Sequence, residues 1–212
     1  VRFVQTYHEQ SAAIAAEGYA RESGTIGVAI STSGPGATNM VTGIANAYFD
    51  SIPVIYITGQ VNTYEYKYSR KIRQLGFQET DIVSIVKPIT KYAVMVSDPE
   101  KVPAEFAKAV SIALSGRKGP VLIDLPMNIQ RAEIAVPLVR KSIRVVVVPG
   151  VKAKDLSTAK RVLLSAKRPL VLCGGGIASA QASAYVNSFL AQTGFPFVVS
   201  LMGKGCVDES LE

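Results

Sequence analysis

The sequence is poor in the residues on which many small modules are built. Its 212 residues include one His, two Cys and no Trp. With His8 alone, a His-cluster metal centre is excluded within this chain, and no metal ligands are expected from it. Cys173 and Cys206 are too few for a disulfide scaffold or a Cys-rich zinc module. No apolar run approaches the ~20 residues that span a bilayer, and the first residues do not read as a signal peptide. A soluble, cytoplasmic chain without a membrane partner is expected. Common catalytic signatures are missing as well. There is no Gly-x-Ser-x-Gly elbow and no Gly-x-x-x-x-Gly-Lys-Ser/Thr phosphate loop. His8 has no evident Ser or Cys partner for nucleophilic catalysis.

What is present is apolar and long enough to fold. At 48% hydrophobic residues and roughly 100–200 residues per domain, the chain makes one large domain or two smaller ones. Intrinsic disorder is excluded. The formal net charge is +7, which raises the question of a nucleic-acid or membrane-surface partner. The cations are spread along the chain, however, and the only dense stretch is Lys67, Arg70, Lys71 and Arg73. A short solvated basic loop explains that stretch, so no nucleic-acid partner is expected. The chain starts at Val1 rather than Met, as expected of a piece of something longer.

Strand and helix patterns alternate almost throughout. Strands are expected at residues 2–5, 26–30, 53–58, 92–96 and 120–125, with helices at 8–23, 37–49, 79–86 and 99–114. Gly24 reads as the C-cap of the first helix. Such alternation predicts an α/β fold, a parallel sheet flanked by helices with its apolar strands buried on both faces. The pattern lapses from 126 to 150, where Pro126, Pro137, Pro149 and Gly150 read as a connection with one short strand at 144–148. Part of a second α/β domain then follows. It has a helix at 153–165, a strand at 170–173, a helix at 179–193 and a strand at 197–201.

The loops after strands are where open α/β sheets place ligands. Glu9 stands in the first turn of an Ala-rich helix. There it either complements the helix dipole or serves as a partly buried acid, its pKa raised by desolvation, that exchanges a proton with a ligand nitrogen. Thr32, Ser33, Gly34, Pro35, Gly36, Ala37, Thr38 and Asn39 form a turn whose glycines allow close backbone approach before a helix. The same turn reads equally as one without a ligand. Gly59-Gln60-Val61 and Gly76-Phe77-Gln78-Glu79 bring two amides, an aromatic ring and an acid to irregular backbone. These line a pocket or satisfy buried backbone groups. Gly174-Gly175-Gly176 hints weakly at a dinucleotide turn, since Ser179 stands where a third glycine belongs. Cys173, inside an apolar strand, reads as inert packing.

Taken in order, these segments resemble the acetolactate synthase large-subunit family of thiamine-diphosphate-dependent enzymes. The resemblance is carried by Tyr7 to Gln10, Glu17 to Arg21, Thr32 to Asn39, Asp50 to Pro53, Gly59 to Val61, Phe77 to Glu79 and Gly119 to Pro126. It implies an aminopyrimidine-binding domain over residues 1–130, lacking its opening segment. A linker at 131–150 and part of a central domain at 151–212 would follow. It also implies that Glu9 is catalytic, hydrogen-bonding N1′ of the cofactor's aminopyrimidine, and that Ser33, Gly34, Pro35, Gly36, Asn39 and Gln60 lie about the cofactor. Phe77 and Gln78 would face the substrate, Gln78 with a catalytic role. Thiamine diphosphate and Mg²⁺ are the implied cofactors, anchored mainly by a diphosphate-binding domain absent from these residues. FAD is left open, with Gly174 to Gly176 and Ser200 to Gly203 as its candidate contacts. The implied reaction decarboxylates a 2-oxo acid, pyruvate, and ligates it to a second 2-oxo acid. Other decarboxylases or carboligases of the superfamily, and an inert dimerising or binding piece, are the alternatives. The implied partner is a second copy, in a homodimer or tetramer joined through the pyrimidine-binding domain. Asn62 departs from the family's usual Pro, and the loop from Asn62 to Leu75 is longer and more basic than usual. Both bear on the substrate pair.

Overall fold

The computed structural model describes residues 2–134 and 150–211. The chain divides into two compact units, at residues 1–148 and 149–212.

The first unit opens with α1 (Glu9–Ser23), which carries Ala13, Ala16 and Ala20 on its buried stripe. His8 caps it, Nδ1 accepting from the Gln10 N–H at 3.2 Å, and Gly24 closes it in the left-handed conformation, φ 68°. A buried acid on the same helix, Glu17, accepts from Arg21 at 2.5 and 2.9 Å and from Asn46 at 2.6 Å. Arg21 also pairs with Asp50. Strand β1 (Gly27–Ser31) follows, then α2 (Pro35–Asn39) and α3 (Val41–Phe49), separated by Met40. Strand β2 (Val54–Gln60), helix α4 (Ile82–Val86), strand β3 (Tyr92–Met95), helix α5 (Val102–Leu114), strand β4 (Val121–Pro126) and the short α6 (Met127–Gln130) complete the unit.

The four strands are parallel, in the order β1-β2-β4-β3. Alternation along β2 and β4 divides the core. Tyr56 and Leu122 face α1, α3 and α4 with Ala13, Ile44, Ala47 and Ile82, while Ile55, Val121 and Ile123 face α5 with Ala109 and Ala113. Helices thus cover both faces, as expected. The covering is uneven: β1, which ends the sheet among the described residues, has Val28 and Ile30 53% and 67% exposed. Burial on both faces, expected of every strand, holds for β2 and β4 only.

Other departures have local causes. Residues 2–5, expected as a strand, are irregular and exposed and pair with no strand among the described residues; an isolated extended segment leaves its backbone groups to water. The helix expected at 79–86 starts at Ile82, because Gln78 is at φ 61° and Asp81 caps the helix by accepting from the Ser84 N–H at 3.1 Å. The helix expected at 37–49 begins earlier, at Pro35, and breaks at Met40, whose N–H bonds to Ala37 O at 3.2 Å. Pro99–Lys101 forms a 3₁₀ turn before α5.

In the second unit, α7 (Ala153–Ser165) has the expected bounds and buries none of its side chains. Strands β5 (Val171–Cys173) and β6 (Phe197–Val199) form a two-stranded parallel sheet. The helix expected at 179–193 is two: α8 (Gly176–Ser179) and α9 (Ser183–Thr193), divided where Gln181 turns to φ 54°. Cys173, Cys206, Leu190 and Val207 form its core. Both cysteines are free, and burial pushes the Cys173 thiol up, which favours its unreactive form. The strand expected at 144–148, and most of the connection expected at 131–150, lie outside the described residues.

Candidate active site

The loops that follow β1 and β2 meet at the carboxyl end of the sheet. Gly34 begins α2 at φ 61°, a region that L side chains rarely adopt. A Cβ there would also lie 2.8 Å from Gln78 O and 2.9 Å from Gln78 Cβ. The Gly34 turn and the Gln78 loop are therefore in direct contact. Gly36 meets a second demand. A Cβ on it would stand 2.7 Å from Thr32 Cγ2 and 3.3 Å from Glu9 Oε1. A side chain at Gly36 would collide with Thr32 and crowd the Glu9 carboxylate, which lies against this turn. Asn39, at the end of α2, donates to Glu9 Oε2 at 3.0 Å. Ser33 lies beside Gly59, its backbone nitrogen 3.6 Å from where a Gly59 Cβ would be.

The electrostatics separate the two readings of Glu9. The Asn39 amide, and then its own backbone N–H, hold the carboxyl below the usual range, outweighing the modest desolvation. The rise by burial that belonged to one of the two readings of Glu9 does not occur in this chain, because Glu9 is only partly covered and hydrogen bonds stabilise its ionised form.

The second loop is organised by Glu79. Its buried carboxylate accepts from the Lys67 N–H at 3.0 Å, the Leu75 N–H at 2.7 Å and the Gly76 N–H at 3.3 Å. One acid thus clamps both stems of the basic loop that carries Arg70, Lys71 and Arg73. Thr63 is fixed by Asn128, its N–H donating to Oδ1 at 2.9 Å. Beyond the clamp, Phe77 is 86% exposed. Gln60 points inward instead. It is 4% exposed, and its amide donates to Thr80 O at 2.7 Å and Asp124 Oδ2 at 2.9 Å, while Oε1 accepts from the Val61 N–H at 3.0 Å.

The structure thus brings Glu9, Gly34, Gly36, Asn39 and Gln78 together, with Pro35 inside the same turn. Gln60 joins them through Thr80 rather than by presenting its amide to a ligand. Two residue stretches match family models: 1–85 match the thiamine pyrophosphate enzyme N-terminal TPP-binding domain, and 156–212 match the thiamine pyrophosphate enzyme central domain. The chain belongs to the thiamine pyrophosphate enzyme family.

Its relatives narrow the comparison. A probable acetolactate synthase large subunit of Methanocaldococcus jannaschii is 43% identical over 97% of this chain and 35% of its own length. The acetolactate synthase large subunit of Corynebacterium glutamicum is 41% identical over 100% of this chain and 33% of its own. The isozyme 2 large subunit of Escherichia coli is 42% identical over 95% and 35%. The chain spans about a third of the length of these curated relatives.

The residues present fit the aminopyrimidine side of a thiamine diphosphate site. An ionised carboxylate beside a turn whose Gly34 and Gly36 carry no side chains matches a flat heterocycle whose ring nitrogen carries a proton. Among the described residues no group of His, Cys, Asp and Glu is placed to hold a metal ion. The turn with Gly174 to Gly176 packs against Gly203 and Met202. A Cβ on Gly175 would meet Met202 O at 2.7 Å and one on Gly203 would meet Cys173 O at 2.3 Å, so the crowding there lies within the chain.

Sequence reasoning passed over Asp124, Thr58 and the clamp made by Glu79. A signal for Asp124 did exist. It is the one acid in the apolar run Val121–Pro126, and a buried acid requires partners.

Proposed function

We propose that this chain supplies the aminopyrimidine-side part of the active site in an acetolactate synthase-type enzyme. That enzyme decarboxylates pyruvate and joins the resulting two-carbon unit to a second 2-oxo acid. The observation that carries the reading is the Glu9 carboxylate held by Asn39 against Gly36. Thiamine diphosphate, when bound, supplies the electron sink for loss of CO₂. Glu9 then holds a proton at the ring nitrogen, Asn39 fixes the carboxylate's direction, and the Gly34–Gly36 turn admits the ring. Phe77 and Gln78 line the substrate side. The cofactor's diphosphate and Mg²⁺ are held by residues outside this chain, in a second copy of the subunit, so a dimer is the smallest active unit.

A carboxylate that exchanges a proton contributes about 10²–10⁴-fold. In the complete subunit, Glu9→Gln is expected to lose turnover by about that factor, read as acetolactate formed from pyruvate. Near wild-type carboligation would sink the proton-transfer role. Acetaldehyde formed in place of acetolactate would reassign the enzyme to the decarboxylases of the superfamily.

A further inference from the structure

Asp124 lies within β4 and is 1% exposed, between the fully buried Ile123 and the partly buried Leu125. A carboxyl in such surroundings is costly unless both oxygens are met. Here the Thr58 hydroxyl donates to Oδ1 at 2.7 Å and the Gln60 amide to Oδ2 at 2.9 Å. Gln60 has no second orientation available. Turning its amide over would set Oε1 against the Thr80 carbonyl and the Asp124 carboxyl, and Nε2 against the Val61 N–H. The acceptor on Asp124 therefore helps to decide which way Gln60 points, and Gln60 in turn grips Thr80. Thr80 stands two residues beyond Gln78, whose backbone packs on the Gly34 turn.

We propose that Asp124 is a positioning residue for the active-site loop. By accepting from Gln60 it orients the amide that holds Thr80, and thereby keeps Gln78 seated against Gly34. The groups facing it from neighbouring elements are Thr58 and Gln60 on β2, Asp81 at the start of α4, and Tyr66 on the loop, which also senses Glu79. Its hydrogen-bond partners are neutral and its nearest charged neighbour is an acid. Burial first, and then Asp81, push Asp124 up to about 7 against the pull of Thr58 and Gln60.

The test compares Asp124→Ala with Asp124→Asn in the complete subunit. Asn can turn its oxygen to Gln60 and its amide to the Thr58 hydroxyl, which accepts as well as donates. It therefore keeps the grip on Gln60. Ala leaves a buried N–H unmet, a loss on the order of tenfold or more in an equilibrium. Trypsin cleavage at Arg70, Lys71 and Arg73 reads the loop directly. The Ala variant is expected to be cut about tenfold faster there at pH 8, with cleavage at Lys108 in α5 unchanged, and the Asn variant about as slowly as wild type. Gln60→Met should reproduce the Ala phenotype and add little to it in the double variant. Faster cleavage at all sites in parallel, or Asn and Ala behaving alike, would overturn the proposal. A kinetic arm rests on the function proposed above: the KM for pyruvate should rise in the Ala variant and be restored by Asn. If the wild-type subunit fails to condense pyruvate while the cleavage pattern holds, the functional reading fails and the positioning role stands. If carboligation is intact and the cleavage pattern is absent, only the positioning role fails.

Discussion

At Glu9 the carboxylate sits in the first turn of α1 with an amide donating to it. At Asp124 it sits inside a sheet with apolar neighbours and a second acid nearby. Their shifts run in opposite directions, and so do their consequences for stability. Glu9, lowered, contributes stability above its unfolded pKa that is lost as pH falls through its folded value. Asp124 is raised from 3.8 to about 7, so folding favours its protonated form. Its contribution is fully present below the unfolded pKa and is lost as pH rises through about 7. Asp124→Asn removes this titration. Urea midpoints measured from pH 5 to pH 8.5 are therefore expected to decline less steeply for the Asn variant than for wild type, and equal slopes would contradict the assignment. Glu9 and the Gly34–Gly36 turn were legible in the sequence because each announces itself locally, as an acid at a helix start and as glycines at a turn. The partners of Asp124 were not, since Thr58 and Gln60 stand 66 and 64 residues away. Only the strand pairing that sets Thr58 opposite Asp124 brings them together.

Lys91 shows a similar long-range arrangement at the scale of an element. It precedes β3 and closes α5. Its ammonium donates to Ser115 O at 2.6 Å and also to Ile112 O, two carbonyls at that helix end, the second of which also accepts from the Ser115 N–H and hydroxyl. Burial pulls its pKa down, while placement at a helix C-terminus suits its charge. Lys91→Met keeps the stem and deletes the cap. It is expected to cost about 1–3 kcal/mol of stability, measured by urea unfolding, and an unchanged midpoint would show that water replaces the ammonium. The elements themselves followed from periodicity, and α7 has its expected bounds. Their interruptions did not follow. The break at Gln181 and the late start of α4 depend on single residues at positive φ, and the break at Met40 on its N–H turning to Ala37 O, none of which periodicity encodes.

Over the whole molecule, the alternation of strand and helix was sufficient to foretell a parallel sheet with helices on both faces, because only crossover connections return parallel strands to register. How little the site holds by itself came from the family resemblance instead, which leaves the diphosphate-binding domain outside these residues. One carboxylate, one turn and one loop make up the candidate site, and among the described residues no group is placed to hold a metal. The 212-residue chain alone is therefore expected to bind thiamine diphosphate with Mg²⁺ more weakly than about 1 mM. Calorimetry showing micromolar, Mg²⁺-dependent binding would refute this. Among the described residues β1 pairs on one side only, with β2, and this affects the 212-residue chain in solution. Its five residues, Gly27 to Ser31, contain neither charge nor proline, and Val28 and Ile30 face outward. Such an edge is a template on which another strand can add. What opposes self-templating at long range is the charge of +7, which makes like molecules repel. For these 212 residues that repulsion is strongest in dilute buffer and weakened by salt or by a pH approaching the pI of about 9.4.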